Sequence, residues 1–366
     1  MNKKNESNIL IIGAGAIGGI TAAILSRNNI DITVVTRKGS HFDSIKKDGL
    51  KIEGYEEAFH FPIYSSFKDL KGTFKHVLVV VKNPSTEEVA KQLKKNITEE
   101  SLVYSLQNGF GNTDILAKHI PRNQIVAGVI GWGATYLGNG KLRITSETGD
   151  FILGFEDGKN TNDPRLLEIK EILDLWKPTI LTSNIIGYRW AKLIVNSVLA
   201  SIGGLLGQTL GAMMKHKIVG PILGDMKDEG LFIADAHKIK LEKVDGMNIR
   251  NFFYKPKSSD GVFKRVSRSI LSSIINTVGA RRHGKIYPSL LTDLNRGKKT
   301  EIEFLNGYIE RKGKELNLET PISTFLVKAI NEIEEGKRKI GMGNLPELQE
   351  KAKISREKIK EQESKL

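Results

Sequence analysis

The stretch NILIIGAGAIGGITAAIL, from Asn8 to Leu25, constrains this chain more than any other. A short run of β-favouring residues enters a turn containing Gly13, Gly15 and Gly18, and a small-residue helix leaves it. The pattern G-x-G-x-x-G between a strand and a helix is the local geometry that a dinucleotide needs. Gly13 permits the tight turn, Gly15 lets the backbone approach a pyrophosphate, and Gly18 lets the helix close on the strand. With Ala14, Ala16 and Ile17 these glycines form a candidate cofactor turn, where the first N–H groups of the helix and the positive end of its dipole meet an anion. The plain alternative is a glycine-rich turn that binds nothing. Against it stand the strand before, the helix after, and the place of the turn at the first strand of an alternating pattern.

That alternation runs to about residue 155. NILIIG, ITVVTR, HVLVVV, LVYSLQ and QIVAGVIG read as strands, and Ile17–Arg27, Thr86–Lys95 and Asn112–His119 as helices between them. Strands and helices alternating at this spacing predict a doubly wound parallel sheet. HVLVVV carries no polar alternation, as expected of a strand covered on both faces. ATYLGNGKLRIT and DFILGFEDG read as hairpin strands, with Gly138, Asn139 and Gly140 at the turn.

From about Asp163 helical periodicity takes over, in Arg165–Trp176, Tyr188–Leu206, Pro221–Lys238, Val266–Val278, Tyr287–Asn295, Thr300–Leu316 and Ile322–Ile340. The expected organisation is an α/β domain over 1–182, an all-α domain over 183–345 and a charged, solvated helical tail over 346–366. Residues 243–265 read as a loop or lid, with Gly, Pro and Ser punctuation.

The second strand ends in TVVTRKGSH. Dinucleotide domains that prefer NAD carry an acid here for the ribose 2′-hydroxyl. This chain has Thr36 followed by Arg37, whose guanidinium suits a 2′-phosphate, so the expected cofactor is NADP. Lys82 in VVVKNPST and Asn108 in SLQNGFGN end two further strands at the edge where open sheets bind ligands. Either could contact a nicotinamide ribose or a substrate, and either could cap the helix that follows.

In YRWAKLIVNSVLASIGGLLG, Lys192 and Asn196 are four residues apart and share a helix face among apolar neighbours. A desolvated lysine has a lowered pKa that suits a general acid, whereas a lysine that snorkels to water has no such role. Both remain open at this point. In YPSLLTDLNRGKKTEIEFLNGYI, Ser289 and Asp293 share a face. Glu301 falls in the first turn of the next predicted helix, where the dipole alone would explain a carboxylate.

The net charge is +14, from 56 Lys and Arg against 42 Asp and Glu. The basic clusters are dispersed and lack interleaved aromatics, which argues against a nucleic-acid surface. No apolar run is long enough to span a membrane, and the polar start MNKKNES lacks the apolar core of a signal peptide. With no cysteine, disulfides, thiolate metal sites and a cysteine nucleophile are excluded, no metal site is read, and a cytoplasmic location is expected.

GAGAIG, VVVK, LQNG, W-x-K-L-x-x-N and S-x-x-x-D…TEI-x-x-x-NG, in that order from about Asn8 to Ile340, resemble the ketopantoate reductase family. The resemblance implies an N-terminal Rossmann domain, a helical C-terminal domain like that of 6-phosphogluconate dehydrogenase, and NADPH-dependent reduction of 2-dehydropantoate to pantoate. It makes Lys192 the catalytic acid and Glu301 a substrate-hydroxyl partner. It places Asn108, Asn196 and Ser289 around the substrate and Lys82 near the cofactor. A homodimer is one option for the chain's assembly. The family pattern NxxxNPLT has a second Asn where this chain has Ala200, and residues around 243–285 and the charged tail are extra. Another 2-oxo acid, an opine-type dehydrogenase, or a binding protein that has lost turnover are the alternatives. Opine-type families tend to use a catalytic His, and none lies in the LQNG or RWAKLIVN contexts.

Overall fold

The computed structural model describes residues 8–363, apart from 147, 244, 245, 247 and, between 255 and 285, all but Phe263, Val266 and Gly284. Contacts divide the chain into two compact units, up to Ile185 and from Ile186.

The first unit is built on an eight-stranded sheet. In chain order its strands are β1 (Ile9–Ile12), β2 (Ile32–Val35), β5 (Ile63–Tyr64), β6 (His76–Val79), β7 (Leu102–Ser105), β8 (Ile125–Ile130), β11 (Phe151–Gly154) and β12 (Thr179–Leu181), and their spatial order is β12-β11-β8-β7-β6-β1-β2-β5. Successive residues of β1 serve opposite faces. Ile9 and Ile11 join Ile20 and Leu25 of helix α1 (Ala16–Arg27) in one core. Leu10 and Ile12 join Val89 and Leu93 of α3 (Thr86–Leu93) in another, which also takes in Leu116 of α4 (Asn112–Ala117). Helices on both faces of parallel strands make the sheet doubly wound.

The parallel order fails at one edge, and the hairpin expected of DFILGFEDG corrects to something else. After β8 the chain leaves the sheet for β9 (Gly133–Gly138) and β10 (Lys141–Ser146), which pair as the hairpin read around Gly138–Gly140. It returns as β11, antiparallel to β8 with Phe151 opposite Ile130. No helix intervenes, so the chain re-enters at the end it left and must run backwards. The hairpin instead joins β3 (Leu50–Ile52) and β4 (Ala58–Phe59) in a second sheet, ordered β4-β3-β10-β9. That sheet leans on the first turns of α1. A Cβ on Gly19 would lie 2.7 Å from Leu142 Cδ1 and 3.3 Å from Leu50 Cδ2. Helix α2 (Ser40–Asp48), between β2 and β3, was not read from the sequence. Helix α5 (Pro164–Asp174) leads to β12.

The second unit is helical among its described residues. Helix α6 (Ile185–Leu206) meets α8 (Val219–Ala236) where Gly230 faces Ile194, and a Cβ on Gly230 would lie 3.0 Å from Ile194 Cγ1. The short α7 (Leu210–Lys215) lies between them in sequence. Gly203 and Gly204 of α6 let α9 (Ser289–Leu294) approach, with hypothetical Cβ atoms 2.4 Å from Pro288 Cγ and 3.1 Å from Leu290 Cβ. The predicted helix Thr300–Leu316 divides into a 3₁₀ turn, Ile302–Phe304, and α10 (Asn306–Glu315). Helix α11 spans Pro321–Glu334. The predicted helix Val266–Val278 lies outside the described residues, apart from Val266.

The tail is solvated on one face only, and its other face packs inward. It forms α12 (Leu345–Glu363), whose Leu348, Ala352 and Ser355 are buried. Its anchor is Glu229, a fully buried carboxylate on α8. Glu229 accepts from the Ile322 and Ser323 N–H groups at 3.0 and 2.8 Å, and from the Ser355 hydroxyl at 2.7 Å. One carboxylate therefore caps α11 and holds α12. Arg356 of α12 adds an ion pair to the buried Asp225 at 2.7 Å. Among the described residues no helix is long and apolar enough to cross a membrane.

Candidate functional site

The glycine turn follows β1, and each glycine answers a different demand. Gly13 has φ +108°, where side chains are strained, and its N–H donates to Val35 O at 2.7 Å. A Cβ on Gly18 would lie 2.0 Å from Gly13 O, so α1 can close on the turn only at glycine. A Cβ on Gly15 would meet nothing within 4 Å. The protein's own packing requires Gly13 and Gly18, whereas Gly15 leaves space for something else. Gly15 is the N-cap of α1, with no side-chain cap and no acid in the first turn. Open approach to uncapped N–H groups at a positive helix end fits a pyrophosphate. Ala14, Ala16 and Ile17 carry the rest of that backbone.

Beyond β2, Arg37 is exposed, and among the described residues no ion pair engages it. Thr36 before it is held by an N–H bond to Tyr64 O at 3.0 Å.

Lys82 and Asn108 come to the same edge. Ile12 pairs with Val79 and Val79 with Ser105, so the glycine turn and both residues follow the carboxyl ends of three adjacent strands. Both side chains are exposed. Neither is a side-chain cap: the N-cap of α4 is Gly111, and Lys82 begins a 3₁₀ turn without capping it. Sequence reasoning missed the buried polar residues beneath them. Gln107 donates to Val81 O at 3.0 Å and to the Thr86 hydroxyl at 2.8 Å. Asn83 and Asn112 donate to Asn108 O at 2.9 and 3.1 Å. All but the Asn112 bond cross between the segments after β6 and β7, and those from Asn83 and Asn112 fix the Asn108 backbone. Carboxamides in NPST and QNGFGN were the available signal.

In the second unit, Lys192 and Asn196 lie one turn apart on α6, and both are half-buried. The bonds around them join α6 to α10. Trp190 packs on Tyr308 with ring centroids 5.8 Å apart, and the buried Ser201 hydroxyl donates to Asn306 Oδ1. Glu301 is 3% exposed and precedes the 3₁₀ turn, five residues ahead of α10. The helix-dipole explanation for its carboxylate therefore falls away, because its place is not the first turn of an α-helix. Ser289 opens α9 and is exposed, while Asp293 on the same helix is buried. Ala200 is buried on α6. Among the described residues no group of acidic or histidine side chains could hold a metal ion.

Comparison with known proteins covers both units. Residues 9–158 match the family model described as ketopantoate reductase PanE/ApbA, and residues 184–334 match its C-terminal counterpart. A 2-dehydropantoate 2-reductase from Pyrococcus horikoshii is 30% identical over 320 residues, covering 87% of this chain and 94% of the relative. The crystal structure of a PanE/ApbA family ketopantoate reductase from Ralstonia eutropha JMP134 is similar in fold, with a TM-score of 0.73 and 23% identity, covering 90% of this chain and 99% of that one. So is a ternary structure of D-mandelate dehydrogenase with NADH and anilino(oxo)acetate, with a TM-score of 0.75 and 21% identity over 90% of this chain and 99% of that one.

Proposed function

Because the chain belongs to the ketopantoate reductase family and is an oxidoreductase of that kind, we propose that it reduces 2-dehydropantoate to pantoate with NADPH. The observation that carries this assignment is the uncapped start of α1 at Gly15, open where a side chain would otherwise stand.

Bound NADPH would supply a hydride to the substrate's carbonyl carbon. The N–H groups at the start of α1, from Gly15 onward, would hold its pyrophosphate. The exposed Arg37 would take its 2′-phosphate, which a guanidinium suits. Lys82 serves the cofactor side of the sheet edge, and Asn108 donates to cofactor or substrate. Lys192 gives a proton from Nζ to the carbonyl oxygen as negative charge builds there, completing the alcohol. Asn196, one turn away on the same helix, hydrogen-bonds the same substrate, as does the exposed Ser289. The buried Glu301 carboxylate accepts from the substrate hydroxyl and so helps to position it. The substrate is a small 2-oxo acid, and the reaction belongs in the cytoplasm.

Ala200 favours a second substrate reading. An alanine where the family pattern has asparagine removes one polar contact and leaves room for a bulkier 2-oxo acid, and a structural neighbour is held with anilino(oxo)acetate. Loss of nicotinamide absorbance should be followed with purified protein, 2-dehydropantoate and an aryl 2-oxo acid side by side. Preference for 2-dehydropantoate supports the assignment. Turnover of the aryl acid alone would replace the substrate and keep the chemistry.

A further inference from the structure

The hairpin of the second sheet reaches the glycine turn through one side chain. His41, the second residue of α2, accepts the Gly140 N–H at Nδ1 over 2.9 Å. Its Nε2 lies 2.7 Å from Ala14 O. A ring nitrogen that accepts an N–H carries no proton of its own, so the neutral ring holds its proton on Nε2 and donates it to Ala14. The ring is further fixed by Tyr136, edge-on at 4.9 Å. Tyr136 and Ser40 in turn both donate to Asn139 Oδ1 at the hairpin tip, at 3.0 and 2.9 Å. Burial also pulls the His41 pKa below its ordinary value, which favours the neutral ring.

Ala14 is fully buried and stands one residue before the N-cap of α1. The peptide joining Ala14 to Gly15 is planar and trans, so its C=O and N–H point in opposite directions within one plane. Holding the carbonyl of Ala14 therefore sets the aim of the Gly15 N–H, and Gly15 is the residue whose side is open. We propose that His41 is a positioning residue for the dinucleotide pyrophosphate: it does not touch the ligand but orients the Gly15 amide through the Ala14 carbonyl. This rests on the assignment of the turn to NADPH.

Two variants separate the ends of the ring. His41→Gln keeps a donor near the Nε2 position, within reach of Ala14. His41→Asn keeps a group near the Nδ1 position, within reach of Gly140 only. Affinity is measured by titration with NADPH and with 2′-AMP, which lacks a pyrophosphate, and Tm is measured for each protein. His41→Asn should weaken NADPH about tenfold, the worth of one well-made hydrogen bond. His41→Gln should stay within about twofold for NADPH, and 2′-AMP should bind all three proteins alike. Equal losses in both variants, or parallel losses for NADPH and 2′-AMP, would overturn the inference by making His41 a merely structural prop. Unchanged NADPH binding by His41→Asn would overturn it as well. If the unmodified protein does not bind NADPH, the cofactor assignment itself fails, and the inference with it.

Discussion

The two units differ in the ionisable groups they bury. The first keeps its sheet interior almost wholly apolar and admits one fully buried histidine, His76 on β6, bonded through Nδ1 to the Tyr104 hydroxyl at 3.0 Å. Burial pulls His76 down to about 4, only partly opposed by nearby Glu168. The second unit buries carboxylates, Asp225, Glu229 and Asp293 on helices and Glu301 before a 3₁₀ turn, along with the cations Arg189 and Lys227. Burial pushes the Glu229 carboxyl above its ordinary value despite three donors. The first unit offers a ligand its backbone N–H groups at a sheet edge, while the second offers side chains whose support comes from distant helices. The proposed function divides binding from proton delivery along the same line.

That division is most sharply broken by a pair of variants. Lys192→Ala should lower turnover about a thousandfold while NADPH affinity stays within about twofold. Gly15→Ala should do the reverse, raising the Kd for NADPH by at least about tenfold with little change in Tm, since a Cβ there meets nothing within 4 Å. Gly18→Ala, with its Cβ 2.0 Å from a carbonyl oxygen, should lower Tm instead. Matching losses of Tm in the two glycine variants would show that Gly15 has no distinct role.

A smaller effect lies in the buried acid of the second unit. Glu229→Ala leaves the Ile322 and Ser323 N–H groups and the Ser355 hydroxyl without an acceptor, which should cost roughly 3 kcal/mol in denaturant unfolding. Glu229→Gln should cost less, most at acidic pH. Its raised pKa means the folded protein holds that proton more tightly than the unfolded chain, so the contribution is complete below the ordinary carboxyl value and is lost as pH rises through the folded value. His76 has the opposite sign. Its contribution is complete above about pH 6.5 and falls by about 3 kcal/mol as pH drops to about 4. Hydrogen-exchange protection compared at about pH 7 and about pH 5 should therefore decline in the β6 and β7 strands and hold at the start of α11. Equal decline in both places would end the contrast.

The smallest expected effect concerns cofactor choice. Arg37→Asp should weaken NADPH binding about tenfold or more and leave NADH nearly unchanged. Equal effects on the two would remove Arg37 from 2′-phosphate recognition.

The first unit was largely legible because its signals are local. Apolar runs marked β1, β6, β7 and β8, and Gly138–Asn139–Gly140 marked the hairpin. What stayed hidden depends on partners far along the chain. The reversal of β11 follows from where the hairpin returns, which no residue near Phe151 encodes. The 3₁₀ turn at Ile302–Phe304 interrupts a helix whose periodicity continues through it. Helix α12 read as solvated because its inward stripe, Leu348, Ala352 and Ser355, is narrow and small-sided among charges. His41 gave no local sign, since its two bonds span 27 and 99 residues. Lys192 and Asn196 were legible as polar residues on an apolar helix, but their surroundings were not.

The bond between Glu229 and Ser355 joins residues 126 positions apart. Translation adds about 5–20 residues each second, so the carboxylate is made many seconds before the hydroxyl that completes its shell. During that interval α8 cannot settle without a desolvation cost around an acid whose three donors, all at least 93 residues further on, are still missing or incomplete. The first unit, complete in sequence by Ile185, has no such dependence. On the ribosome the first unit can therefore consolidate while the second still waits for a serine.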